Sequence, residues 1–330
     1  MRGVEVYPSE DVHRVRLNPK DQRIMETLQR WGRIPVRKLA ERVGLSETAA
    51  RYRLKKLLDT GTMVVTAQIE PAFVGRPVQA FIRIDFGYDA EVESVANIKA
   101  VDGIDFAALQ RPSGQQGPTI CAHATYPDHE NLLRVRKELR LLPQVTNVEI
   151  GLGLKIHSIR PRYWGDAGVS DADNVWVRHP VPRQLEDIDL TILRELARDG
   201  RTSFTQLAEH TGLSTAATRQ RYVKLVEDGA LRVQALPNPY RLGITGQGEL
   251  AIRMRGDTAA LIQRVASYPS TRFIVEVAGP YDLLIVQVCR ERADLERFIQ
   301  LEIASDPKVA DWTLTLYDES VLAYNPPLPD

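Results

Sequence analysis

Apolar residues in Asp21–Trp31 fall at Ile24, Met25 and Leu28, one face of a helix that Gly32 stops. The pattern then predicts a short second helix over Val36–Val43, carrying Leu39-Ala40, and a tight turn at Gly44-Leu45. A third helix follows over Glu47–Thr60, with Ser46 as its N-cap and Gly61 beyond its end. In that helix Ala50, Leu54 and Leu57 share one face, which packs on the first two helices and leaves a polar face outward. Met63–Ile69 is rich in β-branched residues and predicts a strand.

The same rhythm returns at Asp187–Arg198, Phe204–Thr211, Thr215–Asp228 and Ala230–Leu236. Residues 21–75 overlie 189–243 without a gap, at an offset of 168, with 22 of 55 positions identical. That period is too long for a solenoid, whose repeats run about 20–50 residues. A whole folding unit has been duplicated.

After each copy the rhythm changes to β-α-β-β-α-β, the split-βαβ or ferredoxin-like plan. In the first half it runs through Val78–Phe86, Val92–Ala100, Ile104–Gln110, Thr119–Tyr126, Asn131–Leu141 and Val145–Lys155. In the second it runs through Leu250–Met254, Thr258–Ser267, Arg272–Ala278, Asp282–Cys289, Arg292–Ser305 and Asp311–Tyr317. The expected organisation is α+β: an N-terminal arm (1–18), a winged helix-turn-helix head (19–70), a ferredoxin-like domain (76–158), a Pro- and Gly-rich linker (159–183), a second head (184–239), a second ferredoxin-like domain (244–323) and a tail (324–330). The turn between the middle strands is compact in the second copy, Gly279-Pro280-Tyr281-Asp282, and longer in the first, Pro112–Pro118.

Composition adds less. Of 330 residues, 43% are hydrophobic and 26% charged, as in a soluble globular protein. No apolar run reaches the roughly 20 residues of a membrane span, and Met1–Glu10 lacks the apolar core of a secretory signal. Two cysteines imply a reducing compartment, so the expectation is a cytoplasmic protein without membrane contact. Cys121 and Cys289 also stand 168 apart and are expected at equivalent strand positions. The formal net charge is zero, but it is unevenly spread. Residues 19–70 carry 11 Lys+Arg against 6 Asp+Glu, residues 183–239 carry 8 against 8, and residues 244–330 carry 8 against 13. A basic first head and an acidic last domain cancel.

The strongest chemical signal is the third helix of each head, which has the dimensions to enter the DNA major groove. Its polar face offers Glu47, Thr48, Arg51, Tyr52 and Lys55 after the cap Ser46 in the first copy. In the second it offers Thr215, Arg219 and Gln220 after Ser214. Arginine suits guanine and glutamine suits adenine. Arg53, Lys56, Arg221 and Lys224 are expected at phosphates. Cys121 and His123 lie two apart on one strand face, but two ligands do not make a metal site, and no phosphate loop or nucleophile motif is present. No catalytic residue, metal or cofactor is expected.

The order of head and βαββαβ domain, with Asp21, Leu39-Ala40, Gly44-Leu45-Ser46, Arg53, Leu57 and Gly61, resembles the Lrp/AsnC transcriptional regulators. The second half is the closer match, through Asp187-Ile188-Asp189, Gly212-Leu213-Ser214, Arg221 and Gly279-Pro280-Tyr281-Asp282. The resemblance implies a regulator that binds double-stranded DNA at paired half-sites and responds to a small effector, often an amino acid. It also implies self-association through the βαββαβ domains, here as an intrachain pseudo-dimer with further oligomerisation. The family's Gly-x-Tyr-Asp turn helps form the effector pocket, which carries over to Gly279, Tyr281 and Asp282. Sirohaem decarboxylases share the architecture and also occur as fused pairs, which makes a tetrapyrrole enzyme the alternative reading. For that reading the sensor strands offer His123 and Arg111, but no dense histidine cluster.

Overall fold

The computed structural model describes residues 6–8, 14–91, 98, 101–111, 114, 116–159, 182–321, 326 and 328. Most of the N-terminal arm, of the helix expected at Val92–Ala100, of the linker and of the C-terminal tail lie outside these residues.

A short strand, β1 (Val6–Pro8), precedes the first head. That head comprises α1 (Pro19–Arg30), α2 (Val36–Val43), α3 (Glu47–Asp59) and β2 (Met63–Ile69). Asn18 caps α1 by accepting the Lys20 and Asp21 N–H groups, and Ser46 Oγ accepts Ala49 N–H to start α3. Gly44 ends α2 at φ 64°, a left-handed turn that Lys20 braces by donating to Val43 O at 2.8 Å. After the first sensor, the second head repeats the plan: α5 (Asp187–Arg198), α6 (Phe204–Thr211), α7 (Thr215–Glu227) and β7 (Leu231–Pro237).

The heads are not independent. β2 pairs antiparallel with β7 along its whole length, from Met63↔Pro237 to Ile69↔Leu231, making a two-stranded ribbon between them. One hydrophobic core runs through both heads and includes Ile24, Leu28 and Leu57 with Ile192, Leu196 and Leu225. Arg33 donates to Gly200 O (2.7 Å) and Thr202 O (2.8 Å) of the other head. Its repeat mate Arg201 donates back to Gly32 O (2.6 Å) and Ile34 O (3.1 Å). The guanidinium of Arg33 also stacks on Phe204, 4.6 Å from the ring centre. Gly32 is required by close approach, since a Cβ there would stand 2.6 Å from Val233 O.

The first sensor comprises β3 (Val78–Phe86), β4 (Ile104–Gln110), β5 (Thr119–Tyr126), α4 (His129–Arg140) and β6 (Val145–Ile159). The second comprises β8 (Gly246–Met254), α8 (Ala259–Ala266), β9 (Thr271–Ala278), β10 (Leu283–Cys289), α9 (Arg292–Phe298), whose last turns widen to a π-helix over Ile299–Ala304, and β11 (Val309–Leu316). Each sheet has the ferredoxin-like order, β4-β5-β3-β6 and β9-β10-β8-β11. β6 is long enough to pair β3 with its first half and β9 with its second, which joins the sensors within one chain. β11 leads into β12 (Glu319–Val321), and β12 pairs with β4. The ten-stranded sheet therefore returns on itself through β11 and β12.

Strand alternation gives the closed sheet two faces. Ile82, Ile84, Ile120 and Leu109 pack outward under α4, as Leu250, Ile252, Ile274 and Ile285 do under α8 and α9. Phe81, Val275, Val277 and Leu284, with Phe106, Cys121 and Tyr317, face the interior between the two sensors.

The cysteines are not equivalent, contrary to the expectation from their spacing. Cys121 pairs with Arg83 on β3, whereas Cys289 pairs with Gly246 on β8. Gly246 is the repeat mate of Val78, which pairs with Tyr126. The shorter β9–β10 turn shifts the second copy, so Cys289 matches Tyr126 and the shared offset is a coincidence of loop length.

Candidate functional site

Among the described residues, polar groups combine with access at the outer faces of α3 and α7, at the β9–β10 turn, in the interior of the sensor barrel, and in an open cleft of about 860 Å³ between α1 and the second sensor, lined by Arg23, Arg290 and Arg297.

On α3, Ser46, Glu47, Thr48, Arg51, Tyr52, Lys55 and Lys56 are all exposed, and Tyr52 is 70% accessible, unusual for an aromatic side chain. Arg51 rests on Glu47 (2.7 Å) and Lys55 on Asp59 (2.5 Å), one turn along the helix. Such exposed pairs contribute little and exchange readily for a phosphate or base. On α7, Ser214, Thr215, Arg219, Gln220 and Lys224 are exposed in the same positions. Among the described residues, Lys56 and Lys224 make no ion pair.

Arg53 and Arg221 differ from their neighbours. Arg53 turns back to Asp21 on α1 at 2.9 Å. Arg221 meets Asp189 on α5 at 3.0 Å and Glu186 at 2.8 Å. Asp189 is buried and also accepts from Arg183 at 3.0 Å. Burial pushes its carboxyl up, but the bonds from Arg183 and Arg221 outweigh this and hold it below the usual aspartate range. These arginines bolt the third helix to the first, and so orient it. The repeat carried the signal, since both members of the Asp–Arg pair recur 168 residues on.

At the β9–β10 turn, Gly279 lies against the first sensor, where a Cβ would come within 2.7 Å of Ile150 O. Asp282 Oδ2 accepts Met254 N–H at 2.7 Å. Arg253 donates to Pro280 O (2.9 Å), and the Tyr281 and Thr313 hydroxyls are 3.3 Å apart. Tyr281 lines a cavity of only about 30 Å³. That is about the share of liquid volume of a single water. Within the described residues, the turn forms part of the seam between sensors.

Inside the barrel, His123 Nε2 and Glu249 Oε2 are 2.9 Å apart, bridging the two sensors. Phe81, Phe106 and Phe273 surround the imidazole, with ring centres 4.7, 4.9 and 5.8 Å away. Burial drives the Cys121 thiol well above its ordinary pKa, as expected of an inert core cysteine. Among the described residues no group of three His, Cys, Asp or Glu is placed to hold a metal. A cavity of about 210 Å³ opens here between the barrel and the β2–β7 ribbon. Sequence reasoning missed it, because its walls come from strands scattered across both halves.

Residues 17–58 and 185–226 match the AsnC-type helix-turn-helix domain, and residues 250–324 match the Lrp/AsnC ligand binding domain. The chain is 33% identical over 131 residues to the Leucine-responsive regulatory protein of Rhizobium meliloti, covering 38% of this chain and 84% of that protein. It is 29% identical over 130 residues to an uncharacterized HTH-type transcriptional regulator of Pyrococcus abyssi, covering 39% of this chain and 82% of that one. Relatives of this kind are therefore about half as long as this chain. Among solved structures, the siroheme decarboxylase NirDL superposes with a TM-score of 0.59 over 92% of this chain and 91% of its own, at 13% identity. That likeness is one of fold. Among the described residues no helix is long and apolar enough to cross a membrane.

Proposed function

The chain belongs to the Lrp/AsnC family of DNA-binding transcriptional regulators, and from that premise we propose that its two heads bind double-stranded DNA as one rigid unit, each with its own half-site. The observation that carries this reading is the fusion of the heads by the β2–β7 ribbon and the reciprocal Arg33 and Arg201 clamps, with both third helices facing solvent. Glu47, Thr48, Arg51 and Tyr52 read base edges from α3, while Thr215, Arg219 and Gln220 do so from α7. Lys55, Lys56 and Lys224 contact phosphates, Ser46 and Ser214 fix the helix starts, and Arg53 and Arg221 act as positioning residues. Tyr52 against Gln220 and Lys55 against Val223 make the two reading faces unequal, so the half-sites are unequal too.

The test is binding to a DNA site drawn from a selected library. Replacing Arg51 or Arg219 with alanine weakens binding roughly 5- to 150-fold, in line with about 1–3 kcal/mol for a base contact. Replacing Lys56 lowers the salt slope by roughly one unit. Unchanged affinity in all three variants would remove DNA binding by these faces.

The sensors supply the response to a small effector, with an amino acid as the family's usual class. The site of action is the cytoplasm, and the chain works without catalysis. The whole-chain likeness to NirDL motivates one competing reading, a tetrapyrrole enzyme. Against a tetrapyrrole in the barrel stands the size of that cavity, about 210 Å³; the open cleft of about 860 Å³ between α1 and the second sensor is the one place large enough among the described cavities. A cavity of about 150 Å³ holds one benzene, and four linked pyrroles exceed that several-fold. An absorbance titration with sirohaem separates the two: no spectral shift favours the regulator, and a saturable shift with loss of carboxylate groups favours the enzyme.

A further inference from the structure

We propose that the cavity between the head ribbon and the sensor barrel is the effector site, and that it takes a small planar aromatic molecule bearing a carboxyl or carboxamide group. Its regulatory consequence rests on the regulator reading above; the binding itself does not.

Size sets the first limit. At about 210 Å³ the cavity exceeds the roughly 150 Å³ that encloses benzene, so it admits one or two rings. Shape and surface set the second. Phe81, Phe106, Phe273 and the imidazole of His123 form an aromatic floor, with neighbouring ring centres 4.7–5.8 Å apart. A flat aromatic guest finds edge and face partners there that an aliphatic one does not.

Polar groups set the third. Thr125 and Gln234 both line the cavity, are only 4% and 1% exposed, and each carries a buried polar atom, the hydroxyl and the amide oxygen. Neither atom has a hydrogen-bond partner among the described residues. Buried polar atoms are almost always satisfied, so two unsatisfied atoms on residues of one cavity wall point to a guest that completes them. The hydroxyl can donate or accept, and the amide oxygen accepts. A carboxamide or a protonated carboxyl offers the complementary acceptor and donor on one planar group. Arg272, itself buried, also lines the cavity and adds a positive charge to its wall.

The position of the cavity gives the guest leverage. Gln68 and Ile69 of β2 and Gln234 and Leu236 of β7 form its roof, so a guest touches the ribbon that fixes the two heads to each other. Occupancy that favours one ribbon position over another shifts DNA affinity by the same differential free energy. Among the described residues, the cavity at the β9–β10 turn is lined by sensor residues alone.

The experiment is calorimetric titration of the intact protein with benzamide, benzoate and toluene, alongside the variants Val286→Trp, Gln234→Leu and Asp282→Ala. Val286 lines the cavity, and tryptophan there fills it. Benzamide or benzoate is expected to bind one site per chain with a dissociation constant below about 1 mM, at least 10-fold tighter than toluene. Whichever of the two binds tells a neutral from an anionic head group. Gln234→Leu weakens it at least 10-fold, Val286→Trp abolishes it, and Asp282→Ala leaves it intact. The bound ligand shifts affinity for a selected DNA site at least 3-fold. No saturable binding by either probe, toluene binding equally well, or binding untouched by both cavity variants overturns the site. Binding with no shift in DNA affinity overturns its effector role. Failure to bind DNA without any ligand counts against the regulator reading alone, because the titration stands apart from it.

Discussion

Arg201→Ala tests whether the two heads are one body. Arg201 donates to Gly32 O at 2.6 Å and Ile34 O at 3.1 Å, across the pseudo-twofold from Arg33. Hydrogen bonds from a charged donor contribute about 1.5–3 kcal/mol each, so the lower figure gives about 3 kcal/mol for the pair. Arg33, with bonds of 2.7 and 2.8 Å, is worth about the same. Together they approach about 6 kcal/mol, comparable with the whole stability of many domains. The two guanidinium groups also repel each other. Burial lowers the pKa of Arg201, and the charge of Arg33 adds to that. Each single variant relieves this repulsion, and the double variant relieves it only once. The double loss therefore exceeds the sum of the two single losses. Arg201→Lys keeps the charge but not the fork, and loses about half as much as alanine. Urea unfolding followed by tryptophan fluorescence reads all four variants. Single losses under about 1 kcal/mol, or a double loss smaller than the sum, would refute the clamp.

Three further outcomes are expected. Asp189→Asn costs about 3–5 kcal/mol, because it breaks a buried pair, whereas Asp21→Asn costs about 1 kcal/mol at its more exposed counterpart. The folded-state pKa of Asp189 is lowered, so its contribution is present above about pH 4 and disappears as pH falls through the folded value; the gap between wild type and Asp189→Asn in urea midpoint narrows accordingly from pH 7 to pH 3. Gly32→Ala drives a Cβ to 2.6 Å from Val233 O and 2.8 Å from Gln234 N; it costs about 2–3 kcal/mol and lowers the melting temperature by several degrees in circular dichroism, and an unchanged melting temperature would show that the ribbon yields. Asp282→Ala removes the acceptor of Met254 N–H and costs about 1.5 kcal/mol; a neutral result would assign that carboxylate to something other than the hairpin.

Elements that local pattern decides were legible in the sequence. Ile24, Met25 and Leu28 predicted the buried face of α1, and all three are fully buried. Met63–Ile69 predicted β2 to the residue. The partner of β2 was not legible, because a lone β-branched run carries no address, and β7 lies 168 residues away in the same repeat. The distant ends of Arg53 and Arg33 were hidden for the same reason. A polar-face count sees an arginine, not the Asp21 or Gly200 that receives it. The cysteine spacing misled because loops shift register while the sequence offset stays fixed. The cavity needed Phe81, Thr125 and Phe273 from three sensor strands and Gln234 from the head ribbon in one place, and only the folded sensor sheet with the ribbon against it brings them together.

The central claim is that the clamped heads read DNA as a single rigid unit. The most direct measurement is selection of binding sites from a random duplex library with the intact chain, followed by affinities of the selected site with and without about 5 bp, half a helical turn, inserted at its centre. The account predicts two unequal half-sites at one fixed spacing, and at least a 10-fold loss on insertion, because the ribbon and clamps keep α3 and α7 from following the rotated groove. Equal binding to both duplexes, or enrichment of a single half-site with no fixed partner, would contradict it.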